Sequence, residues 1–596
     1  MSANLALGVI GNCQIGSLID DRARHVWTCL PRFDGDPMFC ALLRDDPPQA
    51  AQGVFELELE GHASSTQRYL RNTAILETLL EAHDGAVVRV VDFCPRFRLF
   101  GRNHHPAMLV RMVEPVAGRA VLRIRMRPLT AYGARVPLRR QGSNHVSYEG
   151  NETTLRLTTD ASLAAVLEER AFVLVERLNF VLGPDEPVPE GVGSLAQRFL
   201  DDTRRYWLDW TRGLAIPFEW QEAVIRAAIT LKLCAYEDTG AIIAAMTTSI
   251  PEAANSGRNW DYRHCWLRDS YFTLQALNGL GATRTMEEYL RYVANTFAGA
   301  EGNRLQPVYG ISGAAGIAES IVSTLPGYRG MGPVRIGNDA HQQHQHDVYG
   351  AVILTATQAF FDARLTQPGD QAAFEQLEGA GESCVALFDQ PDAGIWEYRG
   401  RTRVHTFSSV MCWAGVERLA RIANRLGLAA RAAQWRERAE HMHARICASA
   451  WDGAHASFTE SWGQPEVDAS LLLLPELGFL PAADARVQAT LARIERELRR
   501  GDYLLRYAAD DDFGPPENAF NICTFWYVNA LAMSGRKAEA RVLFENMLAR
   551  RNSLGLLSED LDPVSGELWG NYPQTYSLVG IIGAAVRLSQ PWEEAL

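Results

Sequence analysis

The sequence predicts a two-domain protein in which an antiparallel β-sandwich precedes an all-α domain. The chain has 596 residues, more than a single hydrophobic core usually serves. Up to about residue 190, apolar and polar residues alternate or form Val-rich runs, as in half-buried strands. From about residue 195, apolar residues recur three and four positions apart, as on amphipathic helices. This change of period places the domain boundary near residue 190.

Several short segments of the first part have the composition of strands. Turn residues such as Asp84-Gly85 and Gly118-Arg119 separate them. Short strands with this spacing are typical of an antiparallel sandwich. The clearest segments are 55–61, 86–93, 108–115 and 120–129. We therefore predict a β-sandwich over residues 1–190.

The second part contains many helical segments joined by long loops. A linker helix is predicted within 191–215 and an all-α domain over 216–596. The predicted helices are 194–210, 220–236, 269–281, 284–298, 345–363, 371–388, 409–425, 430–450, 483–499, 519–534 and 536–550. This number favours a closed ring of helical hairpins over a four-helix bundle. Loops longer than about a dozen residues usually carry function, so we expect the site in them.

The composition is typical of a soluble globular enzyme, with 47% hydrophobic and 22% charged residues. A net charge of −13, with Arg scattered among Asp and Glu, argues against a nucleic-acid partner. The first residues lack the basic region of a signal peptide, and no window has the roughly 18 apolar residues of a membrane span. The 10 Cys residues form no Cys-x-x-Cys pair, which predicts reduced thiols. These features predict a cytoplasmic protein without a membrane partner and leave homo-oligomerisation open.

The loop 258–269 combines aromatic residues with an Arg-Asp pair directly before a predicted helix. Its aromatic residues and the pair Arg268-Asp269 are candidate contacts for a sugar. Aromatic rings cover the apolar C–H patches of sugars, and Arg and Asp bind neighbouring hydroxyl groups. A purely structural alternative is that Asp269 caps the helix and pairs with Arg268.

The loop 394–400 places Glu397 between aromatic residues, with Trp396 before it and Tyr398 after it. Partial desolvation in such a setting raises the pKa of a carboxyl group and suits it to act as a general acid. The alternative is an ordinary loop Glu that pairs with Arg399.

The loop 555–563 offers three acids after a long helix. Asp562-Pro563 has the pattern of a turn, so Glu559 or Asp560 is the better candidate for activating a water molecule. A fourth loop region adds Arg506, Tyr507 and Glu517 as candidate contacts for substrate hydroxyl groups.

A cluster of His341, His344 and His346 with Asp347 suggests a metal site at first sight. The spacing matches no standard zinc motif, and on a helix residues 341 and 346 would point apart. We therefore predict hydrogen-bonding or exposed roles for these side chains and no metal or other cofactor.

Seven segments, in the same order along the chain, resemble those of glycoside hydrolase family 15, the glucoamylase-type family that includes bacterial trehalases. They are TCLPRFDGDPMF (28–39), AYEDTGAIIAAMTTSIPE (235–252), RNWDYRHCWLRDS (258–270), LPGYRGMGPVRIGN (325–338), GIWEYRG (394–400), VMCWAGVERLARIA (410–423) and NICTFWYVNALAMSGR (521–536). The resemblance implies an N-terminal antiparallel β-supersandwich and a C-terminal (α/α)6 barrel, with the active site at one end of the barrel. The loop 31–34 of the first domain is expected to extend toward that site.

The resemblance also implies roles for individual residues. Glu397 would be the general acid and Glu559 the general base of an inverting, exo-acting α-glucosidase that releases β-glucose without a cofactor. Carboxyl groups in such a pair stand roughly 6.5–9.5 Å apart. The implied substrate contacts are Tyr262, Trp266, Arg268, Asp269, Trp396, Arg506 and Tyr507. Arg399 and Glu517 are further candidate contacts.

The residues after Glu397 bear on the substrate that the resemblance implies. Tyr398-Arg399 stands where starch-acting members commonly have a second acid, and this WExRG form is similar to the trehalase branch, so trehalose is the expected substrate. The residues Ser409, His344, His346 and Ala351 depart from those usual in bacterial relatives and are expected on the leaving-group side.

Three alternatives remain open at this stage. The first is a glucoamylase or isomaltose-type glucosidase with the same chemistry. The second is an inverting disaccharide phosphorylase, although such enzymes replace the base with a phosphate-binding loop and Glu559 is present here. The third is an inactive sugar-binding or regulatory protein.

Overall fold

The computed structural model describes residues 4–150, 153–188, 190–298 and 304–595. Two large antiparallel sheets form most of the N-terminal part, and Phe97–Leu99 pairs with Arg102–His104 in a separate two-stranded sheet. The first contains Gly8–Gly11, Gly16–Ile19, His25–Leu30, Asp36–Phe39, Val54–Leu59, Val121–Arg127 and Phe172–Val173. The second contains His62–Tyr69, Leu76–Ala82, Val87–Phe93, Leu109–Ala117, Leu138–Gln141, His145–Glu149, Thr154–Thr159 and Leu178–Pro184.

The two sheets share one apolar core. Val88 and Val90 of the second sheet and Ile124 of the first are fully buried in the same cluster. In the first four residues of each of these two strands, partly exposed positions alternate with buried ones, which is the pattern that predicted the strands. The predicted sandwich-like arrangement is confirmed. The strands before residue 55 are nearly all buried, so they lack the alternation and were not predicted.

The helices follow the sheets, apart from one short helix within the sandwich. They are α1 (Leu163–Leu167), α2 (Val192–Arg212), α3 (Gln221–Leu233), α4 (Leu267–Gly279), α5 (Thr283–Ala298), α6 (Asp347–Phe361), α7 (Gln371–Leu387), α8 (Thr406–Arg425), α9 (Ala429–Ala450), α10 (Ala485–Leu498), α11 (Asn521–Met533), α12 (Lys537–Ala549), α13 (Thr575–Leu588) and α14 (Trp592–Ala595). The predicted C-terminal helical region is therefore confirmed. Within the described residues, no helix is long and apolar enough to cross a membrane.

Helix α13 was not predicted from the sequence. Its sequence TYSLVGIIGAAVRL is apolar on almost every side, and ten of its 14 residues are buried. A helix that is buried all round has no polar face and therefore shows no clear period.

An inner set of elements packs side by side. Helix α4 contacts α6, α6 contacts α8, α11 contacts α13, and α13 contacts α4. A 3-10 segment, Ala469–Leu473, lies between α8 and α11. Helices α3, α5, α7, α9, α10 and α12 pack against the outside of these inner elements.

The two parts of the chain are joined by hydrogen bonds as well as by apolar packing. The Trp27 indole donates to the carbonyl of Met246 (2.8 Å), and Asn552 donates to the carbonyl of Leu7 (3.0 Å). Phe33, in the loop 31–34, packs edge-on against Tyr236 at 6.2 Å between ring centroids. This loop therefore contacts the helical part, but it does not line the cavity described below.

Candidate active site

A cavity opens where the inner helices begin. The starts of α4, α11 and α13 supply part of its wall, and long loops supply the rest. Helix N-termini carry partial positive charge, which favours carboxylate and hydroxyl oxygens at this end. The lining residues are Ala244, Glu252, Arg258, Trp260, Tyr262, Trp266, Arg268, Asp269, Asn338, Ala340, Gln343, Ile395, Trp396, Glu397, Tyr398, Arg399, Arg506, Asp511, Asp512, Phe513, Phe520, Trp526, Glu559, Gln574 and Tyr576.

Glu397 reaches the cavity from the loop before α8, with 24% of its side chain exposed. Its φ of 58° is in the left-handed region, which costs a non-glycine residue about 1–3 kcal/mol and occurs mainly at functional sites. Three donors meet its Oε1 atom: Trp266 Nε1 at 2.7 Å, Gln345 Nε2 at 3.1 Å and Arg268 Nη2 at 3.4 Å. Oε2 receives none of these three bonds, so it is the oxygen that can carry a proton toward a substrate.

Glu559 lines the same cavity. It lies in the loop before α13 and is 1% exposed. The Tyr262 hydroxyl donates to its Oε1 atom at 2.6 Å. Its Oε2 atom is buried and has no hydrogen-bond partner within the described chain. Burial, followed by the negative charge of Glu252, raises the pKa of Glu559 above its ordinary value of 4.5, so the carboxyl group is a stronger base than an exposed Glu.

Two aromatic residues connect these carboxyl groups. Tyr262 donates to Glu559, Trp266 donates to Glu397, and the two rings contact each other edge-on at 5.4 Å between centroids. Glu397 and Glu559 therefore lie on either side of one aromatic pair and line one cavity.

The inner end of the cavity contains a buried charge cluster around Arg268. Its Nη1 atom donates to Gln345 Oε1 at 2.7 Å and to Asp347 Oδ2 at 3.2 Å. Arg268 Nε lies 3.6 Å from Asp269 Oδ1, too far for a direct hydrogen bond, and neither atom has another partner within the described residues. Burial raises the pKa of Asp269 to about 7. Buried polar atoms of this kind suit the hydroxyl groups of a sugar.

The outer end of the cavity is formed by a cluster that we call the rim: Trp260, Glu319, Arg399, Asp512 and Phe513. The Arg399 guanidinium lies 4.3 Å from the centre of the Trp260 ring and pairs with Glu319 at 2.6 Å. Phe513 meets Trp260 edge-on at 5.3 Å between centroids and is 37% exposed. The site thus changes from buried and charged at the inner end to partly exposed and aromatic at the rim.

Nine of the predicted site residues line the cavity: Tyr262, Trp266, Arg268, Asp269, Trp396, Glu397, Arg399, Arg506 and Glu559. Tyr507 does not: it is buried behind the wall, between Trp396 (6.0 Å) and Tyr398 (5.4 Å). Glu517 is exposed and also lies outside the lining, so the structure does not bring it to the substrate. It stands on a surface loop, where a charged side chain is fully hydrated.

Several residues of the site were not singled out from the sequence. Glu252 accepts a hydrogen bond from Arg506 at 2.6 Å and one from Trp260 at 3.0 Å. Asp511 accepts a hydrogen bond from Arg258 at 2.7 Å. An acidic run beside an aromatic residue was the available signal, but the Arg that Asp511 pairs with lies more than 250 positions away.

The residues that depart from the family pattern lie outside the cavity lining. Ser409 is fully buried in α8 and donates to the carbonyls of Phe388 (2.6 Å) and His405 (3.0 Å), so it does not shape a leaving-group pocket. His344 is exposed, whereas His346 is buried. Within the described part of the chain, no group of three or more His, Cys, Asp or Glu side chains is placed to hold a metal ion.

Comparison with known proteins agrees with this architecture. Residues 220–586 match the family model described as glycosyl hydrolases family 15, and residues 5–162 match the model described as trehalase-like, N-terminal. A trehalase of Mycolicibacterium smegmatis is 32% identical over 99% of this chain and 91% of its own length. A trehalase of Mycobacterium tuberculosis is 33% identical over 97% of this chain and 88% of its own length.

A solved structure resembles the whole chain. The crystal structure of a bacterial glucoamylase complexed with acarbose superposes with a TM-score of 0.68 and covers 99% of this chain and 94% of its own. Only 13% of the residues are identical, so this match supports the fold alone.

These observations define the protein as a glycoside hydrolase. The chain belongs to glycosyl hydrolases family 15, as the family model covers residues 220–586 and the relatives span nearly its full length. The resemblance drawn from the seven sequence segments is therefore confirmed.

Proposed function

We propose that this protein is an inverting, exo-acting trehalase in which Glu397 is the general acid and Glu559 is the general base. One observation carries the proposal: two carboxyl groups from distant loops line one cavity, each held by its own donors. The names of its full-length relatives support trehalose as the substrate.

The first role belongs to Glu397. Its Oε2 atom donates a proton to the glycosidic oxygen while the bond from that oxygen to the anomeric carbon breaks. The three donors on Oε1 fix the carboxyl group in one orientation and stabilise the anion that remains. General acid catalysis of this kind contributes about a hundredfold to ten-thousandfold in rate.

The second role belongs to Glu559. Its Oε2 atom accepts a proton from a water molecule as the water oxygen attacks the anomeric carbon from the opposite face. Tyr262, which donates to Oε1, keeps the other oxygen free for this step. The attack inverts the anomeric centre, so the sugar at the inner end leaves as β-glucose.

The inner charge cluster selects the terminal glucose. Arg268 and Asp269 present buried donors and acceptors at fixed positions, and these bind hydroxyl groups of the non-reducing sugar. A site of this kind strongly rejects a ligand that lacks a matching hydroxyl, because its polar groups would then remain unpaired. Arg506, held by Glu252, is placed for a contact nearer the reacting centre.

The stereochemical course can be read by proton NMR during trehalose hydrolysis. An inverting enzyme first forms equal amounts of α-glucose and β-glucose, because only the attacked sugar changes configuration. Formation of α-glucose alone in the first minutes would contradict the inverting assignment.

The substrate can be established with a panel of trehalose, maltose, isomaltose and maltotetraose in phosphate-free buffer. We expect the highest kcat/KM for trehalose. A preference for maltotetraose would indicate a glucoamylase, and glucose 1-phosphate formed after phosphate is added would indicate a phosphorylase. Sugar binding without cleavage would indicate an inactive protein.

The finer fold assignment is part of the same proposal. The neighbour relations support an (α/α)6 barrel with α4, α6, α8, the segment Ala469–Leu473, α11 and α13 inside and the six packing helices outside. The domain limits 1–190, 191–215 and 216–596 and the cytoplasmic location remain predictions from the sequence.

A further inference from the structure

We propose that Asp512 is a positioning residue that holds the loop of Glu397 in the geometry needed to protonate the leaving group. The proposal rests on the role of Glu397 as general acid given above. It starts from two hydrogen bonds: the backbone N–H groups of Arg399 and Gly400 both donate to Asp512 Oδ2, at 2.8 and 3.0 Å. Asp512 lies more than 100 positions further along the chain, and it binds the loop 394–400 directly after Glu397. We call this loop the acid loop.

The acid loop needs such a constraint because its conformation is unfavourable. Glu397 has a φ of 58°, so the loop tends to relax unless its surroundings hold it. The first half of the loop is held by Gln343, whose Nε2 atom donates to the carbonyl of Glu397 at 3.1 Å. Asp512 holds the second half. Its bonds are charge-assisted, which makes them about twice as strong as neutral ones.

The residue at position 400 must be a glycine for Asp512 to approach the acid loop this closely. A Cβ atom at position 400 would lie 2.2 Å from Asp512 Oδ1, a distance that no side chain allows. Gly400 therefore lets the carboxylate reach the two backbone N–H groups.

The turn that carries Asp512 is itself firmly anchored. Asp511 accepts a hydrogen bond from Arg258 Nη2 at 2.7 Å, one from the backbone N–H of Phe513 at 2.7 Å and one from the Tyr507 hydroxyl. Arg258 is 4% exposed, so this ion pair is shielded from solvent and weakly screened. Asp511 thus fixes the turn to the cavity wall. Asp512, the next residue in the turn, holds the acid loop through its hydrogen bonds with Arg399 and Gly400.

This arrangement separates leaving-group protonation from glucose binding. Proton transfer requires Glu397 Oε2 to lie within hydrogen-bond reach of the glycosidic oxygen. The proposed contacts with the terminal glucose, Arg268 and Asp269, lie in α4 and not in the loop that Asp512 holds. Loss of the Asp512 contacts should therefore impair the protonation step and leave binding of the glucose unit nearly unchanged.

The test compares two substrates that differ in their need for an acid. Trehalose loses a sugar alkoxide, which must be protonated, whereas α-glucosyl fluoride loses fluoride, which leaves without a proton. For Asp512→Ala we expect kcat on trehalose to fall about a hundredfold, as for a displacement of roughly 1 Å at a catalytic group. We expect kcat on α-glucosyl fluoride to change less than about threefold.

Two further variants complete this experiment. Asp512→Asn retains an oxygen acceptor for both backbone N–H groups and should recover most of the trehalose activity. Asp510→Ala removes an exposed acid of the same turn that lies outside the cavity lining, and both substrates should be turned over as by the unchanged protein. Equal losses on both substrates in Asp512→Ala would reduce Asp512 to a general structural role and overturn the proposal.

Failure of the proposal can be told apart from failure of the proposed function. If Glu397 is the acid, Glu397→Gln must show the same selective loss on trehalose. If Glu397→Gln shows the selective loss and Asp512→Ala does not, only the role of Asp512 is wrong. If Glu397→Gln loses both activities equally, the general-acid assignment itself is wrong.

Discussion

The two ends of the cavity hold their Arg residues in different ways. Arg268 at the inner end is 4% exposed and is shared among Gln345, Asp347 and Glu397. Arg399 at the rim has 33% of its side chain exposed, pairs with Glu319 alone among the described residues and packs on the Trp260 ring. Buried charges that lose a partner are costly, whereas exposed pairs contribute little. The inner end is therefore suited to one fixed sugar, whereas the exposed guanidinium of Arg399 can move with the leaving group at small energetic cost.

The largest expected effect concerns Glu559, the proposed general base. Glu559→Gln removes the proton acceptor and keeps the shape and the hydrogen bond from Tyr262 in altered form. We expect kcat on trehalose to fall at least about a hundredfold, with an unchanged melting temperature or a higher one, because a buried carboxyl group becomes neutral. A loss below tenfold would exclude Glu559 as the base.

The second prediction tests whether the inner end depends on geometry rather than charge alone. Arg268→Lys keeps a positive charge but loses the planar fork of donors. Charge-assisted hydrogen bonds contribute about 1.5–3 kcal/mol each, so kcat/KM for trehalose should fall about tenfold to a hundredfold. Arg364→Lys, at an exposed Arg outside the cavity, is the control and should have no effect. An equal change in both variants would contradict the fixed-sugar description of the inner end.

The third prediction concerns pH. Burial and the charge of Glu252 raise the pKa of Glu559, and the base is lost by protonation as the pH falls through that pKa. The acid limb of kcat/KM for the free enzyme should therefore lie above pH 4.5, the ordinary pKa of Glu. Glu252→Gln removes the raising charge and frees the positive charge of Arg506, and both changes lower the pKa.

The profile of Glu252→Gln should consequently extend to lower pH than that of the unchanged protein. Glu517→Gln is the matched control because this exposed Glu lies outside the cavity lining. It should shift neither the pH profile nor the KM. A shift of the Glu252→Gln profile to higher pH would show that the two carboxyl groups do not interact as described.

The smallest effect is expected for the side chain of Arg399 at the rim. Arg399→Ala keeps the backbone N–H that donates to Asp512 and removes the guanidinium, which contacts the Trp260 ring and pairs with Glu319. We expect the KM for trehalose to rise about threefold to tenfold with little change in kcat. Arg205→Ala, at another exposed Arg that lies outside the cavity, serves as the control. A loss as large as that of Arg268→Lys would remove the distinction between rim and inner end.

Much of this protein follows from local patterns along the chain. Periods of two and of three to four residues mark the sheets and most helices, because each element has one face in the core and one in water. The motifs around Glu397 and Arg268 combine acids, Arg and aromatic residues within a few positions, so they mark sugar chemistry without any structure. Helix α13 and the buried N-terminal strands were not predicted in this way, because nearly all of their residues are buried and show no alternation with polar residues.

Only the tertiary structure decided which further acids join Glu397 and Glu559 at the site. Glu252, Asp511 and Asp512 gain their roles from Arg506, Arg258 and the Gly400 backbone, all more than 100 positions away along the chain. Glu517 has the same chemistry as these acids yet remains in solvent, and no local pattern separates it from them. Side-chain type is a property of the sequence, whereas burial and the distance between charges arise when the chain closes on itself. Those two quantities determine the pKa of a carboxyl group and therefore its chemistry.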